Sequence, residues 1–363
     1  MDFNFYKKYM YYKNKYIKLK LEQNGGTDNS SVDNSSVDNS SVNNSSVNIV
    51  SFNVLNEYQG TTMMTFKNNS DIITTKLLDN KPNKKQLNNI YKNLIQLEKR
   101  EWELYRKNKI LNLIDYFIKL NYIVCLQEVS ENLLKELKNK YNKKLCYTSK
   151  LNDKNNEDYR VTIFSDKYSL INTQSIIFDG VGLKQKDCLL TILSDNKSNK
   201  FMVFNLHIYW KADQKHYSEF AKSILELVKN NKLPFVICGD FNGTINHPFL
   251  KIFIEIINAN SKINTNSSNY LNDFTSINTK SKNEYAWIDH ILTHGFKTLE
   301  PTSTLNKING YKIYYDVKQI VEKLIEYKEK IIEKRGLENK MLKIFDKKKW
   351  LSDHKPVLIS LGF

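Results

Sequence analysis

The chain has 363 residues with 40% hydrophobic content, enough to build a sizeable core in one large α/β domain or two smaller ones. No apolar run approaches the ~18 residues of a membrane-spanning helix, and the N-terminus lacks the hydrophobic segment of a signal peptide. The formal net charge of +16 favours an anionic partner, nucleic acid or a phosphorylated substrate. An AT-rich coding bias also fits, since Lys, Asn, Ile and Tyr are abundant beside only 11 Gly and 5 Pro.

Residues 1–26 alternate aromatic and basic side chains, as in Tyr6-Lys7-Lys8-Tyr9 and Lys15-Tyr16-Ile17-Lys18. The pattern fits either a short amphipathic helix for an acidic surface or nucleic acid, or a solvated tail. In style it resembles the N-terminal segments of giant DNA virus proteins. Residues 29–48 are four copies of Asn-Ser-Ser-Val-Asp/Asn, with one apolar residue per unit. Such a unit cannot bury enough surface to offset its ordering entropy, so 27–47 is expected to be a disordered linker. The folded domain is expected over 48–363.

From there strands and helices alternate. Strands are predicted at Ile49–Leu55, Ile123–Leu126, Arg160–Phe164, Phe201–Ile208, Phe235–Cys238, Trp287–Leu292 and Pro356–Leu361. Helical spacing appears at Ile110, Ile114, Phe117 and Ile118, then at Leu133, Leu134 and Leu137, and again at Ile224, Leu225 and Val228. Asn205 and His207 share one strand face, opposite Phe204 and Leu206. Two segments, about 60–97 and 295–350, read as insertions; the second carries a helical stretch from Ile320 to Ile332. Cys125, Cys146, Cys188 and Cys238 are scattered without CxxC spacing, which suggests reduced buried thiols and an intracellular protein, cytoplasmic or nuclear, or in a virion if viral.

Six short motifs place an Asn, Asp, Glu or His at or near a strand end. In order they are Ser51-Phe52-Asn53-Val54-Leu55, Leu126-Gln127-Glu128-Val129, Asn205-Leu206-His207, Gly239-Asp240-Phe241-Asn242, Trp287-Ile288-Asp289-His290 and Ser352-Asp353-His354. Each alone reads as a turn or cap. Together they supply hard oxygen ligands, a base and donors for phosphoryl oxygens, as metal-assisted hydrolysis of a phosphate ester requires.

At these residues the chain resembles the endonuclease/exonuclease/phosphatase superfamily over roughly 48–363. The resemblance implies a deoxyribonuclease I-like α/β fold of two packed mixed β-sheets flanked by helices, with the active site where strand ends converge. Asn53-Val54-Leu55 followed by Tyr58 is similar to the opening motif of the carbon catabolite repressor and nocturnin type of deadenylase. Trp102-Glu103-Leu104-Tyr105-Arg106-Lys107 resembles the same branch with one extra residue, and Asn205 to Trp210 resembles its His-containing strand. Ser352-Asp353-His354-Lys355-Pro356-Val357 instead resembles the ending of inositol 5-phosphatases, whereas Trp287-Ile288-Asp289-His290 lacks the Cys-Asp-Arg of those enzymes.

Glu128 is the first choice for a direct Mg²⁺ ligand, since that cation keeps several waters and needs one or two carboxylates; Mn²⁺ is an alternative. Asn53 and Asp353 would complete the metal environment directly or through water. The resemblance implies that His354 contacts the scissile phosphate and Asp289 orients it. Asp240 is the candidate to orient or deprotonate the attacking water, Asn242 to donate to a phosphoryl oxygen, and His207 to touch the phosphate. Arg160 and Lys186 read as solvated basic residues or phosphate binders, and Tyr209 and Trp210 as stacking or core aromatics. The expected activity is a Mg²⁺-dependent phosphodiesterase, a 3′-5′ exoribonuclease of deadenylase type on single-stranded RNA. Alternatives are a phosphatase of inositol phosphates or another small ester, an abasic-site nuclease, and a degenerate binding module.

Overall fold

Apolar side chains recur at every second position in some stretches and every third or fourth in others, and strands and helices divide along that line. The computed structural model describes residues 46–55, 102–148, 158–177, 187–209, 211–259, 261–264, 276–278, 284–304, 307–308, 311–312 and 354–363. The strands, in chain order, are β1 Ser46–Asn53, β2 Tyr122–Val129, β3 Leu145–Tyr147, β4 Tyr159–Ile163, β5 Tyr168–Ile177, β6 Asp187–Asp195, β7 Lys200–His207, β8 Phe235–Asp240, β9 Ser276–Asn278, β10 Glu284–Ala286, β11 Asp289–His294, β12 Lys297–Thr304, β13 Lys307–Ile308, β14 Tyr311–Lys312 and β15 Val357–Gly362. The helices are α1 Lys107–Lys119, α2 Glu131–Tyr141, α3 Gln214–Asn231 and α4 Pro248–Asn258.

Two mixed sheets form the frame, one of six strands ordered β12-β15-β1-β2-β4-β3 and one of five ordered β11-β8-β7-β6-β5. Their inner faces meet in a core of Val47, Ile49, Ile123 and Cys125 from the first and Leu189, Val203, Val236 and Ile291 from the second. Outer faces are covered by helices. Ile110, Leu113, Ile114 and Phe117 of α1 lie on one stripe and pack with Leu133, Leu134 and Leu137 of α2 over the first sheet. Tyr217, Phe220, Ile224 and Val228 of α3, with Leu250 and Phe253 of α4, cover Met202, Phe204 and Leu206 of the second. Each such side chain, once buried, contributes about 1.5–3 kcal/mol. Ser130 caps α2 by accepting from the Leu133 N–H at 3.2 Å. The result is the expected four-layer α/β/β/α sandwich.

Each sheet contains one parallel pair, β1–β2 joined through α1 and β7–β8 joined through α3. Parallel pairing sends the C-terminal ends of all four strands to one edge of their sheets. A buried polar bridge ties the two sheets together beneath that edge. Gln127 donates to Asn205 Oδ1 (2.8 Å) and Ser51 Oγ (3.2 Å), and Asn205 donates to the carbonyls of Leu126 (3.1 Å) and Val161 (3.0 Å). Asn205 therefore faces the opposite sheet, and Phe204 and Leu206 face the helices, as alternation requires.

Several elements differ from the sequence reading. β3, β5, β9, β10, β13, β14 and α4 were not anticipated, and β6 was read only as an apolar strand-like run beside Lys186. β5 carries Leu170 and Ile171 side by side and exposed, and a register irregularity between Leu170 and Asn172 breaks its alternation. β6 is buried along most of its length, so it reads as an apolar run without periodicity. Lys297–Thr304, placed within the expected 295–350 insertion, is instead edge strand β12, paired with β15. The segments 1–26, 27–45 and 60–97, the helix expected at Ile320–Ile332, and Lys186, Trp210, Ser352 and Asp353 lie outside the described residues. Among the described residues, no helix is long and apolar enough to cross a membrane.

Candidate active site

The shared edge of the two sheets gathers side chains from six strands or their ends. β1, β2, β7 and β8 deliver Asn53, Glu128, His207 and Asp240 at their C-terminal ends. β11 runs antiparallel to β8 with Asp289 opposite Asp240, so its first residue arrives at the same edge. β15 runs antiparallel to β1, which brings the residues preceding it, His354 among them, to that edge as well.

Local backbone sets the aim of these groups. Strict alternation would send Gln127 and Glu128 to opposite faces of β2. In the pairing of β2 with β4, Leu126 opposes Val161 and Val129 opposes Tyr159, so two residues face Arg160 alone. At this bulge Glu128 takes a left-handed φ of 56°, uncommon for a residue with a Cβ. Its carboxylate thereby reaches the site while Val129 returns to the helix-facing core. Asn242 likewise has φ 51°, held by its N–H on Asp240 Oδ1 (2.8 Å) and its side chain on the Ile208 carbonyl (2.7 Å). Gly239 has φ 143°, and a Cβ there would stand 1.9 Å from the Leu206 carbonyl oxygen, so only glycine lets β8 approach β7.

Asp240 is the hub. Its Oδ2 lies 3.1 Å from Asn53 Nδ2, 3.7 Å from His207 Nε2 and 3.7 Å from His354 Nε2. Asn53 Nδ2 also donates to Glu128 Oε1 at 3.0 Å, and that oxygen is 3.8 Å from His207 Nε2. Asn53 Oδ1 accepts the Leu55 N–H at 3.0 Å, so the amide turns its nitrogen toward the two carboxylates. His354 Nδ1 is 2.8 Å from Asp289 Oδ2, both side chains being buried. The structure thus brings together Asn53, Glu128, His207, Asp240, Asn242, Asp289 and His354. Asp353 lies outside the described residues.

Two residues escaped or departed from the sequence reading. Asp158, just ahead of β4, places Oδ2 3.4 Å from His207 Nδ1 and Oδ1 2.8 Å from Arg160 Nη1. Arg160 is 1% exposed, so the solvated reading fails; its guanidinium is buried against Asp158. An acidic residue at the mouth of a strand with a basic one two positions on was the only signal for this pair. His290, within the Trp287-Ile288-Asp289-His290 motif, is fully buried beneath the site with Nε2 2.8 Å from the Gly243 carbonyl. Desolvation pushes its pKa down from 6.5 to about 4.

Glu128, His207 and Asp240 offer ligand atoms within 4.8 Å of one another, as do Asp240, Asp289 and His354. Two buried or half-buried carboxylates sharing one amide donor suit a hard divalent cation, whose charge would relieve their mutual repulsion. A two-sheet sandwich with carboxylates, two histidines and an asparagine at its open edge defines a hydrolase of phosphoric esters. Residues 50–354 match the Endonuclease/Exonuclease/phosphatase family, and the chain belongs to that family. A 93-residue stretch, 23% of the chain, is 28% identical to carbon catabolite repressor protein 4 homolog 3 of Arabidopsis thaliana. That stretch spans only 21% of the relative's length. Among solved structures, an endonuclease/exonuclease/phosphatase from Bacteroides vulgatus superposes with TM-score 0.55 at 17% identity, covering 88% of this chain and 99% of that one. The human nocturnin catalytic domain with bound sulfate gives TM-score 0.51 at 14% identity, covering 88% and 93%. These matches include the carbon catabolite repressor/nocturnin branch that the motifs resemble.

Proposed function

We propose that this protein is a Mg²⁺-dependent phosphodiesterase of nucleic acid, and more specifically a 3′-5′ exoribonuclease of deadenylase type acting on single-stranded RNA. The observation that carries the reading is the convergence of Glu128, Asp240 and the Asp289–His354 pair, with Asn53 and His207, on one open sheet edge. The likeness to a carbon catabolite repressor protein 4 homolog and to nocturnin, and the net charge of +16, support an RNA substrate.

Glu128 and Asp353 would bind Mg²⁺ or Mn²⁺, with Asn53 holding the Glu128 carboxylate beside that of Asp240. When bound, the cation supplies positive charge for the phosphoryl oxygens. Asp240 orients the attacking water through Oδ2 and accepts its proton as the new P–O bond forms and the bond to the 3′ oxygen of the preceding nucleotide breaks, that oxygen taking a proton from solvent. His354 donates from Nε2 to a phosphoryl oxygen, and Asp289, bonded to Nδ1, keeps the ring aimed and favours its protonated form. His207, steadied by Asp158, touches the same phosphate. The second N–H of the Asn242 amide donates where negative charge builds. Tyr209, half-buried beside His207, is placed to stack on a base. The four buried free cysteines support an intracellular setting, cytoplasmic or nuclear.

The test offers the full chain, with Mg²⁺, 5′-labelled poly(A), a mixed-sequence RNA, an abasic DNA duplex and inositol phosphates. Glu128→Ala serves as control. A ladder on poly(A) that Glu128→Ala abolishes supports the exoribonuclease. Phosphate release from inositol phosphates with RNA intact would replace it by the phosphatase reading, which the Ser352–Val357 motif favours. Cleavage of the abasic duplex alone would replace it by a repair nuclease.

A further inference from the structure

Arg106 is buried to 1% exposure outside the set of groups described above. It closes a π-helical turn, Trp102–Arg106, that leads into α1. Such turns absorb one extra residue, and here the guanidinium still lies over the Trp102 ring at 5.2 Å. Nη2 donates to the carbonyls of Val54 (3.1 Å) and Leu55 (2.7 Å), the two residues after Asn53. Leu55 sits at φ 54°, a left-handed conformation that costs a side-chain-bearing residue energy and persists only where neighbours hold it. The Val54 carbonyl and the Leu55 N–H share one peptide plane, so holding that carbonyl keeps the Leu55 N–H on Asn53 Oδ1 at 3.0 Å. The Asn53 nitrogen then faces Glu128 (3.0 Å) and Asp240 (3.1 Å).

We propose that Arg106 is a positioning residue that, by clamping the Val54 and Leu55 carbonyls, fixes the Asn53 amide and through it the two carboxylates of the cation site. Without the clamp the Val54–Leu55 peptide plane is free to turn, its N–H leaves Asn53 Oδ1, and the amide loses its fixed orientation. Lysine can donate to the carbonyls but lacks the planar guanidinium that rests on Trp102, so it holds them less rigidly. The inference rests on reading the site as a divalent-cation site, and its readout is cation binding, which needs no substrate.

Mg²⁺ is titrated by calorimetry into the metal-free full chain. The samples are the unsubstituted protein, Arg106→Gln, Arg106→Lys, Asn53→Ala and the Asn53→Ala/Arg106→Gln pair, with circular dichroism in chelator to verify folding. Arg106→Gln should weaken Mg²⁺ about 10-fold, within the range for groups that orient ligands. Arg106→Lys should recover part of that loss. In the Asn53→Ala background, Arg106→Gln should cost nothing further, because the amide it positions is gone. Unchanged Mg²⁺ affinity in folded Arg106→Gln, or losses that multiply in the double variant, would overturn the proposal. If Arg106→Gln does not fold, the graded loss in Arg106→Lys and its disappearance in Asn53→Ala decide the matter. An unsubstituted protein that binds no Mg²⁺ would overturn both this inference and the metal-dependent reading; one that binds Mg²⁺ yet cuts no nucleic acid would overturn only the nuclease reading.

Discussion

Acid should destabilise this protein through His290. The imidazole is fully buried, edge-on to Phe241 at 5.4 Å, and its Nε2 sits 2.8 Å from the Gly243 carbonyl. Burial lowers its pKa from 6.5 to about 4, outweighing the help that the Gly243 carbonyl and Asp240 give the cation. The unfolded chain titrates near 6.5, so between that pH and about 4 it binds a proton that the folded chain refuses. The contribution is therefore fully present above pH 6.5 and is lost as pH falls through the window. At about 1.4 kcal/mol per pH unit the loss reaches about 3 kcal/mol, a large share of the ~5–15 kcal/mol that holds a domain folded. Urea unfolding of the full chain at several pH values from about 7.5 to 4.5 measures it. His290→Gln keeps a donor for Gly243 and cannot titrate; it should begin less stable and then lose less with acid. Parallel curves of stability against pH for the two proteins would refute the reasoning.

Gly239→Ala should be among the most disruptive single changes, because the new Cβ would meet the Leu206 carbonyl at 1.9 Å and force β7 from β8. A loss of at least about 3 kcal/mol is expected, read as a collapse of the urea midpoint, and a retained midpoint would contradict the close approach. Asn205→Leu strips donors from the Leu126 and Val161 carbonyls and an acceptor from Gln127, at a cost of about 3 kcal/mol; an unchanged unfolding free energy would show that the bridge between sheets is dispensable. Asp289→Asn leaves the shape of the site and removes the charge beside His354 Nδ1. On whichever substrate the Glu128-dependent assay identifies, kcat should fall about 10²–10³-fold with KM little changed, whereas a rise in KM alone would make Asp289 a binding residue.

The candidate positions were legible because each stands at or near the end of an apolar run, and alternation within such runs is local. Asn53, His207, Asp240, Asp289 and His354 could be picked out this way without knowing which strands pair. Their meeting point followed once β1–β2 and β7–β8 proved parallel and β11 and β15 antiparallel. β5 was hidden because it is largely exposed and shows no period of two, whereas β6, buried on nearly its whole length, reads as an unbroken apolar run.

By itself the sequence determined most of the strands that carry the site and most of its polar side chains, since these depend on residue type and local periodicity; the two-sheet layering came only through the family resemblance those motifs carry. Only the tertiary structure decided where several of them point. Glu128 faces the site because β2 bulges opposite Arg160, a register relation between segments some thirty residues apart that no local pattern encodes. Asp158 and Arg160 became a buried pair, and Arg106 a clamp on the loop after Asn53, through contacts across 2, 51 and 52 positions that depend on how sheets and helices pack. The same packing set the aim of Asn53, its nitrogen between two carboxylates and its oxygen accepting the Leu55 N–H.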